Sequence, residues 1–215
     1  SKEGVIVVAV QQLHPAFLKS LKEHKHMITY SVEHAAELLQ HGQVLAYPTE
    51  AVWGLGCDPM NQDAFQSILE LKQRPIEKGV ILLASDIEQV ETLLAPLESS
   101  RQQEIIASWH NRQANERGLT WLLPNQNIIP EWITGQHPRV AVRVTNHPLC
   151  QQLCRAFGRF IVSTSANPAG LDPARNQTQA EQYFGASLNY LAGELGQSPL
   201  PSRIIDAVTG EIIRD

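Results

Sequence analysis

A chain of 215 residues, 43% hydrophobic and 18% charged, has the balance of an ordinary globular protein and the length of one large domain or a domain with an appendage. Its formal net charge of −5 argues against a protein whose main task is to coat nucleic acid, although a local basic site stays open. No apolar run approaches the roughly 18 residues of a membrane span, and the apolar stretch 5–10 is too short and lacks a signal-peptide cleavage pattern.

Residues 1–26 read as an appendage: a strand over 5–10, then a helix over 15–25 with Phe17, Leu18 and Leu21 on one side and Lys19, Lys22 and Lys25 towards the other. A fresh pattern begins at Met27, which reads as an alternative start, and the main domain runs over 27–215. Ser31 is a good N-cap for a short helix carrying Ala35, Ala36, Leu38 and Leu39, with Gly42 placed as its stop. The capping box is incomplete, because His34 stands where Glu or Gln is needed. A strand over 44–47 ends at Pro48. The following P-T-E-A-V-W-G-L-G-C, 48–57, reads as a loop whose glycines let backbone approach a ligand. It is neither G-x-G-x-x-G nor a P-loop. Thr49 in it suits a turn, a cap or a ligand contact.

Residues 62–71 carry Ala64, Phe65, Ile68, Leu69 and Leu71 at helical spacing, and Lys72, Arg74 and Lys78 follow closely. Pro75 biases Arg74 out of the helical region, so the helix ends there; Gly79 leads into an apolar strand over 80–84. Basic residues at a helix end oppose its negative pole. Two features point further. Arg74 lies past the last turn, and the next strand is too apolar to leave the corner far from the core. Cations fixed at the rim of a core are a place for phosphate or carboxylate, with Arg suited to forked contacts.

Asp86 is placed to cap a helix over 87–94, and Pro96 separates a second over 97–109. The polar stretch 110–118 reads as an exposed loop. A strand over 119–123 carries Thr120 and Trp121. In R-V-A-V-R-V, 139–144, the valines face one way and Arg139, Ala141 and Arg143 the other, leaving Arg143 exposed or aimed at a ligand. A helix over 148–157 follows, with Leu149, Leu153 and Phe157 on one face. A strand over 160–162 runs into S-T-S-A-N-P-A-G, 163–170, either a donor-rich anion loop or a polar turn. The serine-hydrolase G-x-S-x-G is absent. The tail predicts a helix near 178–184, a strand near 188–191, and a final pair over 203–207 and 211–214. Cys57, Cys150 and Cys154 lack C-x-x-C spacing and read as reduced and structural; the eight His are scattered, so no structural metal is expected. The irregular alternation predicts an α/β sheet with parallel and antiparallel strands.

Four segments resemble the YrdC/TsaC family: A-Y-P-T-E-A-V-W-G-L-G-C-D-P (46–59), L-K-Q-R-P-I-E-K-G (71–79), A-V-R-V-T-N-H-P-L (141–149) and S-T-S-A-N (163–167). The family's K-x-R pair falls on Lys72 and Arg74, and its distant S-x-N on Ser165 and Asn167. The resemblance implies a YrdC-like twisted open mixed α/β sheet with flanking helices and a concave ligand-binding face. It implies a nucleotidyltransferase, a threonylcarbamoyl-AMP synthase. Such an enzyme joins L-threonine, bicarbonate and ATP, releases pyrophosphate, and feeds threonylcarbamoyladenosine modification of tRNA. By matching positions, Thr49, Arg143 and Ser202 would hold threonine. Lys72, Arg74, Thr120, Ser165 and Asn167 would hold ATP, with Lys72 and Arg74 catalytic. Mg2+ would arrive with ATP and keep several waters, with no metal held by the protein alone. A cytoplasmic location, weak tRNA contact and downstream tRNA threonylcarbamoyl-transfer proteins are implied as well. The competing functions are a non-catalytic module binding tRNA or double-stranded RNA, which the charge of −5 disfavours, and a regulatory domain without catalysis, which the complete Lys72, Arg74, Ser165 and Asn167 set disfavours. Two departures stand out. Many relatives carry W-P-G-P-x-T, whereas here Trp109 and Thr120 are separated by the 110–118 loop, expected to be exposed and mobile before ligand binds. And residues 1–26 have no place in the pattern.

Overall fold

The computed structural model describes residues 6–8, 27–74 and 80–215. Among the described residues, eleven strands form one sheet: β1 (Ile6–Val8), β2 (Met27–Thr29), β3 (Leu45–Pro48), β4 (Trp53–Gly56), β5 (Ile81–Ala84), β6 (Leu119–Pro124), β7 (Arg139–Val144), β8 (Ile161–Ser165), β9 (Asn189–Leu191), β10 (Arg203–Asp206) and β11 (Ile212–Arg214). Their spatial order is β1-β2-β9-β3-β4-β8-β5-β7-β6-β10-β11. Pairings β1–β2, β2–β9, β9–β3, β5–β7 and β6–β10 are parallel; β3–β4, β4–β8, β8–β5, β7–β6 and β10–β11 are antiparallel. The mixed sheet is the one expected. The strand expected over 5–10 is β1 at its edge; the helix expected over 15–25 and the corner cation Lys78 lie outside the described residues.

Alternate residues along the strands face opposite layers, as the two-residue period requires. Leu45, Tyr47, Leu83 and Ile161 pack with Ala35, Leu38 and Leu39 of helix α1 (Val32–Gln40) and Leu153 and Phe157 of α6 (Pro148–Phe157). On the other face Ala46, Leu82, Val142 and Val162 join Phe65 and Ile68 of α2 (Gln62–Lys72) and Ile105 and Trp109 of α4 (Ser99–His110). The remaining α-helices among the described residues are α3 (Glu91–Leu94), α5 (Glu131–Thr134) and α7 (Gln177–Phe184). Ser31 caps α1 by accepting from the His34 N–H at 3.3 Å, and Gly42 follows the helix at φ 76°. Cys57, Cys150 and Cys154 are buried free thiols.

Three local expectations need correction. Residues 48–57 are a hairpin rather than an open loop: β3 and β4 pair antiparallel across a turn in which the Thr49 N–H and hydroxyl both donate to the Val52 carbonyl, at 3.1 and 2.6 Å. Gly56 serves packing. A Cβ there would fall 2.5 Å from the Val162 carbonyl oxygen and 2.7 Å from the buried Tyr47 ring. Asp86 makes no side-chain cap; a 3-10 turn over Ile87–Val90 precedes α3, and the Asp86 carboxylate accepts from the Ser85 hydroxyl instead. Finally, Ser163, Thr164 and Ser165 are strand residues of β8, held by pairing with β4 and β5. The short α5 has no counterpart in the sequence reading.

Candidate active site

Where α1 and α6 stop covering their face of the sheet, a cavity of about 650 Å³ opens. Ala141, Arg143, Ser163 and Ile204 reach it from the strands, and the 49–54 turn closes one side. Thr49, Arg74, Arg143, Ser165 and Ser202 all stand in its wall; Lys72, Thr120 and Asn167 do not line it, but each bonds to a residue that does. The site expected from sequence is therefore brought together, in two tiers.

The corner after α2 explains how neighbouring cations part company. Gln73 adopts the left-handed conformation, φ 52° and ψ 46°, and the Gln73 and Arg74 N–H groups bond back to the Glu70 and Leu69 carbonyls. This is a Schellman closure with Gln where Gly is usual. Lys72, before the turn, points inward and is 2% exposed. Its ammonium donates to the Ser165 carbonyl, to the Asn167 carbonyl at 3.1 Å and to Asn167 Oδ1 at 3.3 Å. Burial, and then the Arg74 charge, push it down to about 7. Arg74, past the turn, reaches the wall, its Nη1 3.4 Å from Thr164 Oγ1.

Lys72 thus acts on the polar run that it faces. The Ser165 hydroxyl donates to Asn167 Oδ1 at 2.6 Å, and the Asn167 amide donates to the Pro168 and Leu171 carbonyls. The Ala166 N–H is taken by the Trp53 carbonyl. These donors are spent within the protein, so the cavity's positive character comes from arginines more than from a ring of neutral donors.

On the opposite wall Arg143 is buried and pairs through Nε with Glu50 Oε2 at 2.9 Å. Glu50 Oε1 accepts from the Thr145 hydroxyl at 2.7 Å. Burial alone would raise the Glu50 carboxyl. The Arg143 charge, the Thr145 hydroxyl and, after them, Arg112 and His147 outweigh burial and hold it below the usual range. Arg143 Nη1 donates to Ser202 Oγ at 3.2 Å, and Arg214 Nη2 donates to the same oxygen at 3.1 Å. With both lone pairs taken, Ser202 must direct its own hydrogen to Thr120 Oγ1, 2.7 Å away. The parallel β6–β10 pairing sets Thr120 opposite Ile204, which leaves Ser202, two residues earlier, as its diagonal neighbour on the same face. Burial, then the charges of Arg143 and Arg117, push the Arg214 guanidinium down from its ordinary range, the mark of cations crowded at one place.

The 110–118 loop is exposed along most of its length, as expected, but both ends are tied. Arg112 Nη2 donates to Asn146 Oδ1 at 3.0 Å, and Arg117 Nε donates to the Pro201 carbonyl at 2.9 Å. Gly118 ends the loop in the cavity wall.

A sequence profile of the Sua5/YciO/YrdC family, described as telomere recombination, matches residues 37–215. A threonylcarbamoyl-AMP synthase of Acinetobacter baumannii is 69% identical over 188 residues, 87% of this chain and 100% of the relative. One from Acinetobacter baylyi is 65% identical over 190 residues, covering 88% and 99%. The chain belongs to the Sua5/YciO/YrdC family. Among solved structures, P. abyssi Sua5 complexed with L-threonine matches this family member with TM-score 0.72 and 28% identity, over 81% of this chain and 50% of that one. The H234A/Y235A form of the same Sua5 matches with TM-score 0.74 and 28% identity, over 82% and 52%. The chain spans about half the length of those two. E. coli YciO, 23% identical with TM-score 0.68, shares the fold.

Among the wall residues of this Sua5/YciO/YrdC-family chain that sequence reasoning did not assign to the site are Glu50, Gly118, Arg139 and Arg214. Glu50 had a signal, an acid directly after a strand-ending Pro-Thr. Arg214 had none, since alternation over 211–214 says which face a residue takes and not how far its side chain reaches.

Proposed function

We propose that this chain is a threonylcarbamoyl-AMP synthase, making L-threonylcarbamoyladenylate and pyrophosphate from L-threonine, bicarbonate and ATP. The observation that carries this reading is the convergence of Arg74, Arg143 and Arg214 on one cavity with the Thr49 turn at its side. Relatives that cover nearly the whole described chain carry the same name. The amine of threonine takes up carbon dioxide, released from bicarbonate with loss of water, to give a carbamate. The carbamate oxygen attacks the α-phosphorus, the bond from that phosphorus to the bridging oxygen breaks, and pyrophosphate leaves.

Such a transfer is driven by placement and by neutralising charge more than by an acid–base pair. Arg74 is assigned to the triphosphate. Arg143 is assigned to the threonine carboxylate, for which its forked donors suit it. Thr49 and Ser202 flank the amino acid. Lys72 fixes the Ser165–Asn167 run and acts on ATP through it, whereas Thr120 fixes Ser202 and so bears first on the amino acid. Mg2+ fits this site as a passenger of ATP. The single wall carboxylate among the described residues, Glu50, is already paired with Arg143, so phosphate oxygens and water would supply the ligands. The product is an activated carbamate, passed on to proteins that transfer it to tRNA; direct tRNA contact is secondary. No helix among the described residues is long and apolar enough to cross a membrane, and we assign the enzyme to the cytoplasm.

Pyrophosphate release, measured with threonine and bicarbonate omitted in turn, tests the reading. Release is expected to need both. Equal release without threonine would make this a different ATP-splitting enzyme.

A further inference from the structure

We propose that Glu50 is the anionic partner of the substrate's amino group, a specificity residue that selects an amino acid over the corresponding hydroxy acid. The inference rests on the reading of the cavity as a threonine site and adds to it a role for a residue not yet assigned one.

An amino acid arrives as a zwitterion, and a wall of arginines answers only half of it. Arg74, Arg139, Arg143 and Arg214 stand in the wall, and among the described residues Glu50 is its one carboxylate. It lies directly beside the arginine assigned to the substrate carboxylate, Oε2 being 2.9 Å from Arg143 Nε. An ammonium at Glu50 and a carboxylate at Arg143 would close a head-to-tail arrangement of alternating charges. Oε1 accepts a hydrogen bond from Thr145, Oε2 meets Arg143 as an ion pair, and a carboxylate oxygen can accept twice.

Access to Oε2 is built into the backbone. Gly118 lies against it: a Cβ at that position would come within 3.3 Å of Glu50 Oε2, 3.2 Å of Arg143 Cδ and 3.4 Å of Ser202 Cβ. A side chain there would fill the space over all three groups. Glycine leaves it open, in a residue that also lines the cavity. The Glu50 backbone is fixed from behind as well, its carbonyl accepting from the Ser198 N–H at 3.1 Å. A carboxylate so placed, and so well supplied with donors, is a binder and a weak base. Glu50 therefore holds the ammonium in position, and the proton lost before carbamate formation leaves by another route.

The test is calorimetric binding of L-threonine and of 2,3-dihydroxybutanoate, which carries a hydroxyl in place of the amino group, to the full chain and to Glu50→Gln. The unaltered protein should favour threonine by roughly 10- to 100-fold, the scale of one hydrogen bond to a charged group. Glu50→Gln should erase most of that preference while binding the hydroxy acid nearly as before. If both ligands weaken together, Glu50 acts only through Arg143 and the proposal fails. It fails also if the variant keeps the full preference. The comparison on the unaltered protein stands even where the variant does not fold: equal binding of the two ligands there overturns the proposal. Failure of the unaltered protein to bind threonine at all, with ATP still bound, overturns the underlying reading of the site rather than this residue's part in it.

Discussion

Lys72 is a cation kept where charge is least welcome, and its titration should be visible in stability. Its ammonium is pushed down to about 7, first by burial and then by Arg74, whereas in the unfolded chain it titrates at the ordinary lysine value. Between those values the unfolded state binds more protons than the folded state, so stability from this group rises with pH from about 7 upward and is flat below. Urea unfolding at stepped pH should show that rise, with a slope of at most about 1.4 kcal/mol per pH unit. Lys72→Met should flatten it; an unchanged slope would assign the effect elsewhere. Arg74, one residue beyond the turn, belongs to chemistry instead. Arg74→Ala should lower turnover about 10²–10³-fold, with Arg74→Lys a poor rescue because the fork is lost. Full turnover in folded Arg74→Ala would leave the corner a mere helix end. Sequence located both cations and the end of their helix. It did not separate their roles, because the separation depends on Gln73 taking a left-handed conformation that non-glycine residues seldom adopt.

At the scale of elements, the last strand is the informative one. All residues of β11 are exposed, and among the described strands it pairs with β10 alone. Yet Arg214 on it donates twice to the Ser202 carbonyl and once to its hydroxyl. Removing residues 211–215 should therefore cost little fold and much function: Tm falling by about 2–4 °C, as for a loss near 1 kcal/mol in a chain of this size, against a turnover loss of about 10²-fold or more. Circular dichroism melts and pyrophosphate release check the two parts. Equal loss of both would make β11 a structural staple. Sequence showed this hairpin to within a residue or two, since alternation and Thr209-Gly210 are local signals. It misjudged β8, where hydroxyl side chains suggested a loop. There, pairing with β4 and β5 on both sides decides for a strand, and partner strands leave no mark on the segment itself. Likewise the 110–118 loop reads as free because its polar residues give no hint that Asn146 and the Pro201 carbonyl await Arg112 and Arg117.

For the whole molecule, the class of sheet was legible and its strand order was not. β9 lies between β2 and β3, and β10 lies beside β6, so the sheet joins segments far apart along the chain. Periodicity carries no information about such partners, and the family motifs implied only a twisted open mixed sheet. The same topology sets a time order. Pairings of high sequence separation form slowly, because a large loop must close before any contact is made. The cavity needs the β3–β4 turn, the corner after α2 and the β10–β11 hairpin at once, and these meet only through pairings of high sequence separation, so it is expected to be complete late in folding. On that order, a ligand of this cavity is expected to bind the native state and not the folding transition state. Threonine with ATP should slow unfolding in stopped-flow denaturant jumps and leave the refolding rate unchanged. Substrates would then lengthen the life of each folded molecule without raising the number that fold, and starvation for either substrate would be felt as faster turnover of the protein itself.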